Sequence, residues 1–296
     1  HQALARVAGG GQAFVDALVA ALAQQGVAIR CGSPLVGLAD VANRRVRRFV
    51  FGSGEEVTAE AAILTIHPQC ILELLRPHGV SRAFQQRIED LMLSPGFFTL
   101  YGTLRPTAPE AGAPVVSILP ECDLNRMLTC RTPVPVDGPV VLMRSRERDA
   151  AGGVVETATI LELGFAEWLA PWADSRSGQR PSGYAEYKRR REESILRRVE
   201  ACLPGFGAAF IRAGSGSMLT YRDYLALPGG AAYGIRQRMG QFNLMGRLPF
   251  ANLYAAGQCA ILPGLVGAMT SSFLLCRHLI GRERFRELID CRQWQT

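Results

Sequence analysis

The stretch "NLYAAGQCAILPGLVGAMTSSFLLC", residues 252–276, carries no charge, and glycines and a proline interrupt its apolar run. Its first part, "NLYAAG", predicts a short buried strand, and "PGLVGAM" predicts the start of a helix that continues through "TSSFLLCRHLI". A transmembrane helix is one alternative, but Pro263 and the glycines beside it would break such a span in its middle. An ordinary buried helix with a tight glycine contact is the other alternative.

The predicted turn between this strand and this helix has the properties of a ligand site. Glycines at a helix N-terminus let a ligand approach the free backbone N–H groups, and the partial positive charge there favours an electron-rich or anionic group. The absence of charged side chains keeps the site apolar. The segment therefore predicts binding of a flat, largely uncharged ring.

The first 88 residues alternate helical and extended patterns, as α/β proteins do. Three glycines at residues 9–11 lead into a predicted helix with one apolar face, formed by Phe14, Val15, Leu18, Val19 and Leu22. We then expect a short strand at residues 27–31, a strand or bend at "PLVGLAD", a hairpin that turns at "GSG", and a buried strand at residues 61–66.

Residues 89–214 differ in character, because predicted strands alternate there with long loops. After a helix at residues 82–92, the strand candidates are "FFTLYGTL", "PVVSIL", "GPVVLMRS" and "VETATILEL". A second helix begins after Ser182, a plausible N-cap, and exposes the charged run at residues 188–191. The residues that it should bury are Tyr187, Ile195, Val199 and Cys202. This change of pattern predicts an inserted second domain.

Several kinds of chemistry are absent from the sequence. The only lysine is Lys188, so no phosphate-binding G-x-x-x-x-G-K-[ST] loop exists, and neither G-x-S-x-G nor H-E-x-x-H occurs. The eight cysteines form no C-x-x-C pair, which predicts no metal site and favours a reducing, cytoplasmic setting. Dispersed arginines without a recognition motif argue against nucleic-acid binding. His67 is the histidine to watch, because it follows a predicted buried strand.

Both ends of the chain resemble one family. "NLYAAGQCAILPGLVGAM", preceded by "LTYRDYLALPGGAAYGI", resembles the C-terminal signature of the phytoene desaturase, carotenoid isomerase and retinol saturase family of FAD-dependent oxidoreductases. "GGGQAFVDALVAALAQQGVAIRCGSPLVGL" is similar to a segment midway along these proteins, and "GEEVTAEAAILTIHP" is similar to their later strand that returns to the flavin. The middle of the chain matches in character only.

The resemblance implies an α/β flavoprotein. Residues 1–88 and 215–296 would form a Rossmann-like FAD-binding domain, and residues 89–214 an α+β, mixed-sheet substrate domain. The family's first strand–G-x-G-x-x-G–helix unit is missing from this sequence. We therefore expect an incomplete fold: the C-terminal part of a longer protein, with that unit cut away or supplied by another polypeptide.

The resemblance also implies site residues. Gly257 and Gln258 would lie beside the ribityl and pyrophosphate of FAD, although many relatives in the wider amine-oxidase-like group carry an acidic residue where Gln258 stands. The helix N-terminus would face the flavin ring through Val266, Gly267, Ala268 and Met269. The adenine would lie between Leu35 and Val36, and the substrate would meet the ring near His67, Tyr233 and Gly234.

The function that the resemblance implies is desaturation, saturation or isomerisation of a long apolar isoprenoid, carotenoid or retinoid-like substrate. The flavin performs the redox step, so no acid–base side chain is required. Two alternatives stay open: a flavin amine oxidase-like enzyme, and a non-catalytic fragment or subunit that needs an N-terminal partner. A homo-oligomer and peripheral contact with an anionic membrane surface are further expectations.

Overall fold

The computed structural model describes residues 7, 9–120, 123, 125, 137–148, 152–244 and 246–290 of the chain. These residues form a mixed α/β structure with three sheets. Its helices are α1 (Gly10–Gln24), α2 (Pro68–Leu75), α3 (Arg82–Glu89), α4 (Gly183–Cys202), α5 (Phe206–Ala209), α6 (Met218–Leu225), α7 (Gly264–Ile280) and α8 (Arg282–Asp290). Its strands are β1 (Leu35–Ala42), β2 (Arg45–Phe51), β3 (Glu56–Thr58), β4 (Ala62–Leu64), β5 (Gly96–Leu104), β6 (Val115–Ile118), β7 (Val140–Arg148), β8 (Val154–Gly164), β9 (Phe210–Gly216) and β10 (Leu253–Ala255).

The two parallel strands β4 and β10 come from distant parts of the sequence. Leu253 pairs with Ala62, and Ala255 pairs with Leu64. Helix α2 follows β4 after three residues, and α7 follows β10 after a longer turn. The prediction of a buried strand at "NLYAAG" and a helix from Gly264 is therefore confirmed, and the carboxyl ends of both strands meet at one edge.

A small antiparallel sheet, β1–β2–β3, packs beside this pair. The predicted turn at "GSG" is confirmed, because it joins β2 to β3 and Gly54 has the positive φ of 84° that such a turn requires. The Asn252 side chain connects this sheet to β10: its Oδ1 accepts from Val46 N at 3.0 Å, and its Nδ2 donates to Val46 O at 2.7 Å.

The third sheet has the order β6–β7–β8–β5–β9, and all its described pairings are antiparallel, so the mixed sheet that we expected here was wrong. All four strand predictions for this region are confirmed, whereas β9 was not predicted. Alternate side chains on one face, among them Leu100, Leu142 and Ile160, are fully buried against α4. Of the helix residues expected to be buried, Tyr187, Ile195 and Val199 are, whereas Cys202, the last residue of the helix, is exposed.

The charged run at residues 188–191 is not the fully solvated face that we expected. Arg191 is buried and pairs with Glu162 of β8, which is itself completely buried. Lys188 is partly buried and donates to Ser215 O at 2.8 Å. The helix turns two of these four side chains toward the sheet, where buried acceptors stabilise them. Ser182 occupies the N-cap position, but its side chain makes no capping hydrogen bond.

Two hydrophobic clusters form the core. One joins residues of β1, β2, β4 and α2 to Ile235, Leu244, Phe250 and Leu253. The other joins the five-stranded sheet to α4 and the start of α6. The domain boundaries at residues 88 and 214 stay predictions.

Two expectations from the first 88 residues were wrong in detail, and a third held with an exposed surface. Residues 27–31 are irregular and exposed, because no strand of the described chain pairs with them. The strand expected to be buried is shorter, β4, and its Ile63 is 49% exposed because only one strand lies beside it. The apolar face of α1 forms as predicted but stays exposed: no residue of that helix is buried.

Candidate functional site

The candidate site lies where β4 and β10 end side by side. Ala256 N donates to Leu64 O at 3.2 Å, so the two chains remain adjacent just beyond the strands. Gly257 then turns with a φ of 92°, and a Cβ added there would lie 3.5 Å from the Cβ of Thr65. Ligands of open α/β sheets bind at this edge, outside the carboxyl ends of the strands.

A buried serine links this turn to α7. Ser271 is 3% exposed, and its Oγ accepts from Gly257 N at 2.8 Å and donates to Ala268 O at 2.7 Å. The predicted site residues Gly257 and Ala268 are therefore connected through one side chain. Sequence reasoning missed Ser271, and only its place in the uncharged first turns of α7, one turn after Ala268, could have indicated it.

The N-terminus of α7 is open. Its N-cap is Pro263, which makes no side-chain cap, and Gly264 follows with a φ of 78°. Val266 is 77% exposed and Met269 52% exposed, so the first turns present apolar side chains and free backbone N–H groups together. Gly267 has a local reason to be glycine, because a Cβ there would collide with the backbone carbonyl of Leu262.

His67 lies three residues after β4 and is 2% exposed. It caps α2, since its Nδ1 accepts from Gln69 N at 3.2 Å. Burial lowers the pKa of this imidazole to about 4, so the ring is neutral at pH 7. With Nδ1 accepting, the proton belongs on Nε2, and this buried nitrogen has no partner among the described residues.

Gly234 lies against His67 and Cys259. Gly234 has a φ of 70°, and a Cβ there would collide with Cys259 Sγ and approach His67 Cδ2 to 3.6 Å. The predicted residues His67 and Gly234 are thus brought together, beside a buried cysteine that sequence reasoning did not place in the site. Burial raises the pKa of the Cys259 thiol, which favours the neutral form.

Tyr233 connects the strand ends to the five-stranded sheet. Its backbone N donates to Ser94 Oγ at 3.0 Å, which fixes the segment just before β5. Its ring is 46% exposed and meets Phe97 of β5 edge-on, with 6.2 Å between the ring centroids. The predicted substrate-proximal residue therefore lies at the junction of the two regions.

Leu35 and Val36 line a separate groove of about 530 Å³. Ile66, between β4 and His67, also lines it, so the groove begins next to the strand ends. Its other walls come mainly from α2, through Cys70, Glu73 and Leu74. The described residues that line this groove include none of α7. Gln258 is half-buried in the turn between β10 and α7.

These features define what the site can do chemically. It offers backbone N–H groups, a neutral imidazole and apolar side chains, which suit a polar but largely uncharged or anionic ligand. Within the described ranges, no three His, Cys, Asp or Glu side chains converge in the way that a metal ion needs. No helix in the described part of the chain has the length and apolarity that a membrane crossing requires.

The fold belongs to the mixed α/β class and is shared with a known oxidoreductase. A solved oxidoreductase from Methanosarcina mazei superposes with a TM-score of 0.54 at 15% identity, over 88% of this chain and 52% of that chain. No family model matches the sequence.

Part of the sequence is similar to retinol reductases. The chain is 31% identical over 130 residues to all-trans-retinol 13,14-reductase of Macaca fascicularis, and 30% identical over 128 residues to the human protein. The alignments include 42% and 41% of this chain. The chain spans 21% of the length of each of these curated relatives.

Proposed function

We propose that this chain is part of an FAD-dependent oxidoreductase that acts on a long apolar, retinoid- or isoprenoid-like substrate. The observation that carries the proposal is the edge where β4 and β10 end, which gathers Gly257, the open N-terminus of α7 and His67. The similarity to retinol reductases supports the same reaction class.

FAD fits the residues present on three counts. The first turn of α7 offers uncapped N–H groups in an uncharged setting, which suits phosphate or a flavin ring. The neutral Nε2–H of His67 has no acceptor in the part of the chain that the structure describes, and a bound group could supply one directly or through water. The groove at Leu35 and Val36 is large and apolar enough for an adenine.

These positions would assign different residues to the two ends of FAD. Gly257, Gln258 and the α7 residues Val266, Gly267, Ala268 and Met269 would hold the flavin end, and Leu35 and Val36 the adenine end. Bound FAD would supply the hydride or electron transfer. The chain's own residues would bind, orient and exclude water, which agrees with a site without an acid–base pair.

The substrate would lie on the face of the five-stranded sheet that α4 does not cover. The pairing register places Tyr101 and Met143 beside Thr159, and Phe97 beside Leu163, on that face. These side chains are half-buried or exposed and mostly apolar. Because Phe97 meets Tyr233, the face leads to the strand ends. An elongated apolar molecule could therefore reach the flavin position along this sheet.

The proposal includes a partner for the exposed apolar helices. Val15, Leu18 and Val19 of α1 and Leu265, Val266 and Phe273 of α7 are each between 44% and 77% exposed. Exposed apolar patches of this kind mark interaction surfaces. We propose that an N-terminal dinucleotide-binding portion covers them, and that without it the chain pairs with itself.

Titration with FAD tests the proposed function. We expect weak, saturable quenching of FAD fluorescence by the purified chain, with the flavin lost on gel filtration, because the strand–G-x-G-x-x-G–helix contacts are missing. Val266→Asp should weaken binding about tenfold, since a carboxylate would repel the phosphates or the electron-rich ring. Val266 is 77% exposed and in the first turn of α7, where Asp favours the helix.

The matched control is Val154→Asp, at an exposed position of β8 in the five-stranded sheet. It adds the same charge and should leave FAD binding unchanged. Absence of saturable binding by the wild-type chain, or equal affinity in the Val266 and Val154 variants, would contradict the proposal.

A further inference from the structure

We propose that Ser271 is a positioning residue that fixes the strand-end turn at Gly257 against the first turns of α7 and thereby sets the affinity of the FAD site. The inference rests on the proposed function. It concerns a residue outside the set implied by the family resemblance, and it begins from two hydrogen bonds to one buried hydroxyl group.

The hydroxyl of Ser271 acts both as a hydrogen-bond donor and as a hydrogen-bond acceptor. It donates its single proton to Ala268 O within the helix and accepts from Gly257 N outside it, at 2.7 and 2.8 Å. A serine inside a helix commonly bonds to a carbonyl one turn back, and that bond alone would be local. The second bond turns a local contact into a link between two elements.

The link matters because Gly257 and α7 would have to serve one ligand together. Gly257 turns with a φ of 92° directly after β10, and the N–H groups at the start of α7 lie beyond the following turn. Backbone donors bind an anionic or polar group well only when they are held in place before it arrives. Ser271 is the side chain that holds Gly257 to this helix.

Ser272 provides a matched control within the same turn. Its Oγ donates to the same Ala268 O, at 3.0 Å, and the residue is exposed. The interaction with Gly257 involves Ser271 alone of the two. Ser271→Ala and Ser272→Ala therefore remove similar bonds to Ala268 O, and they differ in the link to the strand-end turn.

The experiment measures the three chains, wild type, Ser271→Ala and Ser272→Ala, without and with FAD. Without ligand, amide hydrogen exchange reports the Gly257 N–H, and the Ala255 N–H, which donates to Gly246 O at 3.0 Å, reports opening of the region as a whole. With ligand, an NMR titration gives the FAD affinity. If Ser271→Ala folds poorly, Ser271→Cys replaces it in the experiment, because cysteine is similar in size to serine but forms weaker hydrogen bonds.

We expect Ser271→Ala to speed exchange at Gly257 but not at Ala255, and to weaken FAD binding about tenfold. Ser272→Ala should match the wild type in both readouts, and Ser271→Cys should be intermediate. If the wild type binds FAD and Ser271→Ala binds it equally well, the inference is overturned and the proposed function stands.

If the wild type shows no FAD binding, the proposed function fails and the affinity claim fails with it. The exchange data still judge the positioning claim in that case. Faster exchange confined to Gly257 supports the link through Ser271. Unchanged exchange at Gly257, or equal acceleration at Gly257 and Ala255, overturns it.

Discussion

The five-stranded sheet with α4, the sheet region, differs from the rest of the described chain, which contains the strand ends. The difference lies in whether buried polar groups have hydrogen-bonding partners. In the sheet region, the completely buried Glu162 is paired with both Arg191 and Arg198. Outside the sheet region, the described residues include four buried polar atoms without a partner: His67 Nε2, Gln237 Nε2, Gln241 Nε2 and Asn243 Oδ1. The described part of the sheet region has one such atom, Tyr187 Oη.

Their apolar surfaces differ in the same direction. The sheet region places α4 over one face, and most of the large apolar residues there are buried. The helices α1 and α7 present rows of exposed Val, Leu and Phe side chains instead. Unsatisfied polar atoms and uncovered apolar rows each carry a free-energy cost, and both are what a bound ligand or partner removes. The contrast therefore separates a sheet region whose buried charges are paired within the chain from a second region whose unpaired atoms and apolar rows a ligand or partner could cover.

The largest expected effect is a loss of stability when the buried ion pairs of the sheet region are broken. Glu162→Gln leaves Arg191 and Arg198 without their buried carboxylate, and breaking a buried ion pair costs about 3–5 kcal/mol. Urea unfolding should show that loss of unfolding free energy. Glu193→Gln, whose partner Arg189 is exposed, is the control and should change little. A similar, small effect of both changes would mean that the sheet region does not depend on its paired charges.

How much of these regions the sequence predicts depends on the range of the interactions. The boundaries of β10 and α7 are set by local signals, an uncharged β-compatible run followed by Pro263 and Gly264, and both were predicted. The strand expected at residues 27–31 has an equally apolar pattern, but a strand needs a partner, and pairing cannot be read from one segment.

The side chains that connect elements were the hardest to predict. Helical periodicity identifies α4, yet it could not tell that Arg191 in a run of four charges meets Glu162 across the sheet. The same holds for Ser271, whose second bond reaches a glycine 14 positions earlier in the sequence. Residues that act through a distant backbone group leave no periodic signal, so the prediction named Gly257 and not the side chain that connects it to α7.

The next effect concerns His67, whose Nε2 has no partner among the described residues. The folded pKa of His67 is lowered to about 4 and the unfolded value is near 6.5, so between these values only the unfolded chain binds the proton. Stability is therefore full above pH 6.5 and falls as the pH approaches 4. His67→Asn keeps an N-cap acceptor for Gln69 N and should remove this loss of stability, which is on the order of 3 kcal/mol between pH 7 and pH 4.

Urea unfolding of the two chains at pH 7, 6, 5 and 4 measures the difference. The control is His278→Asn on α7, where the histidine is exposed and the loss of stability should stay. An unchanged dependence on pH in the His67 variant would show that folding does not lower the pKa of this imidazole, and would remove one of the two contrasts between the regions.

The smallest effect on stability should come from α1, where the expected change is in association. Leu18 and Leu22 are 49% and 42% exposed, so replacing both with Gln removes little buried surface and should alter the unfolding free energy by under about 0.5 kcal/mol. Sedimentation velocity over a range of concentrations should show the wild-type chain self-associating and this variant shifted toward monomer, because the apolar row is interrupted. Val154→Gln, at a single exposed position 66% accessible on β8, should leave association unchanged. A wild-type chain that sediments as a monomer at every concentration would mean that the apolar face of α1 is not an interaction surface between copies. Equal shifts toward monomer in both variants would mean that the two regions do not differ in self-association.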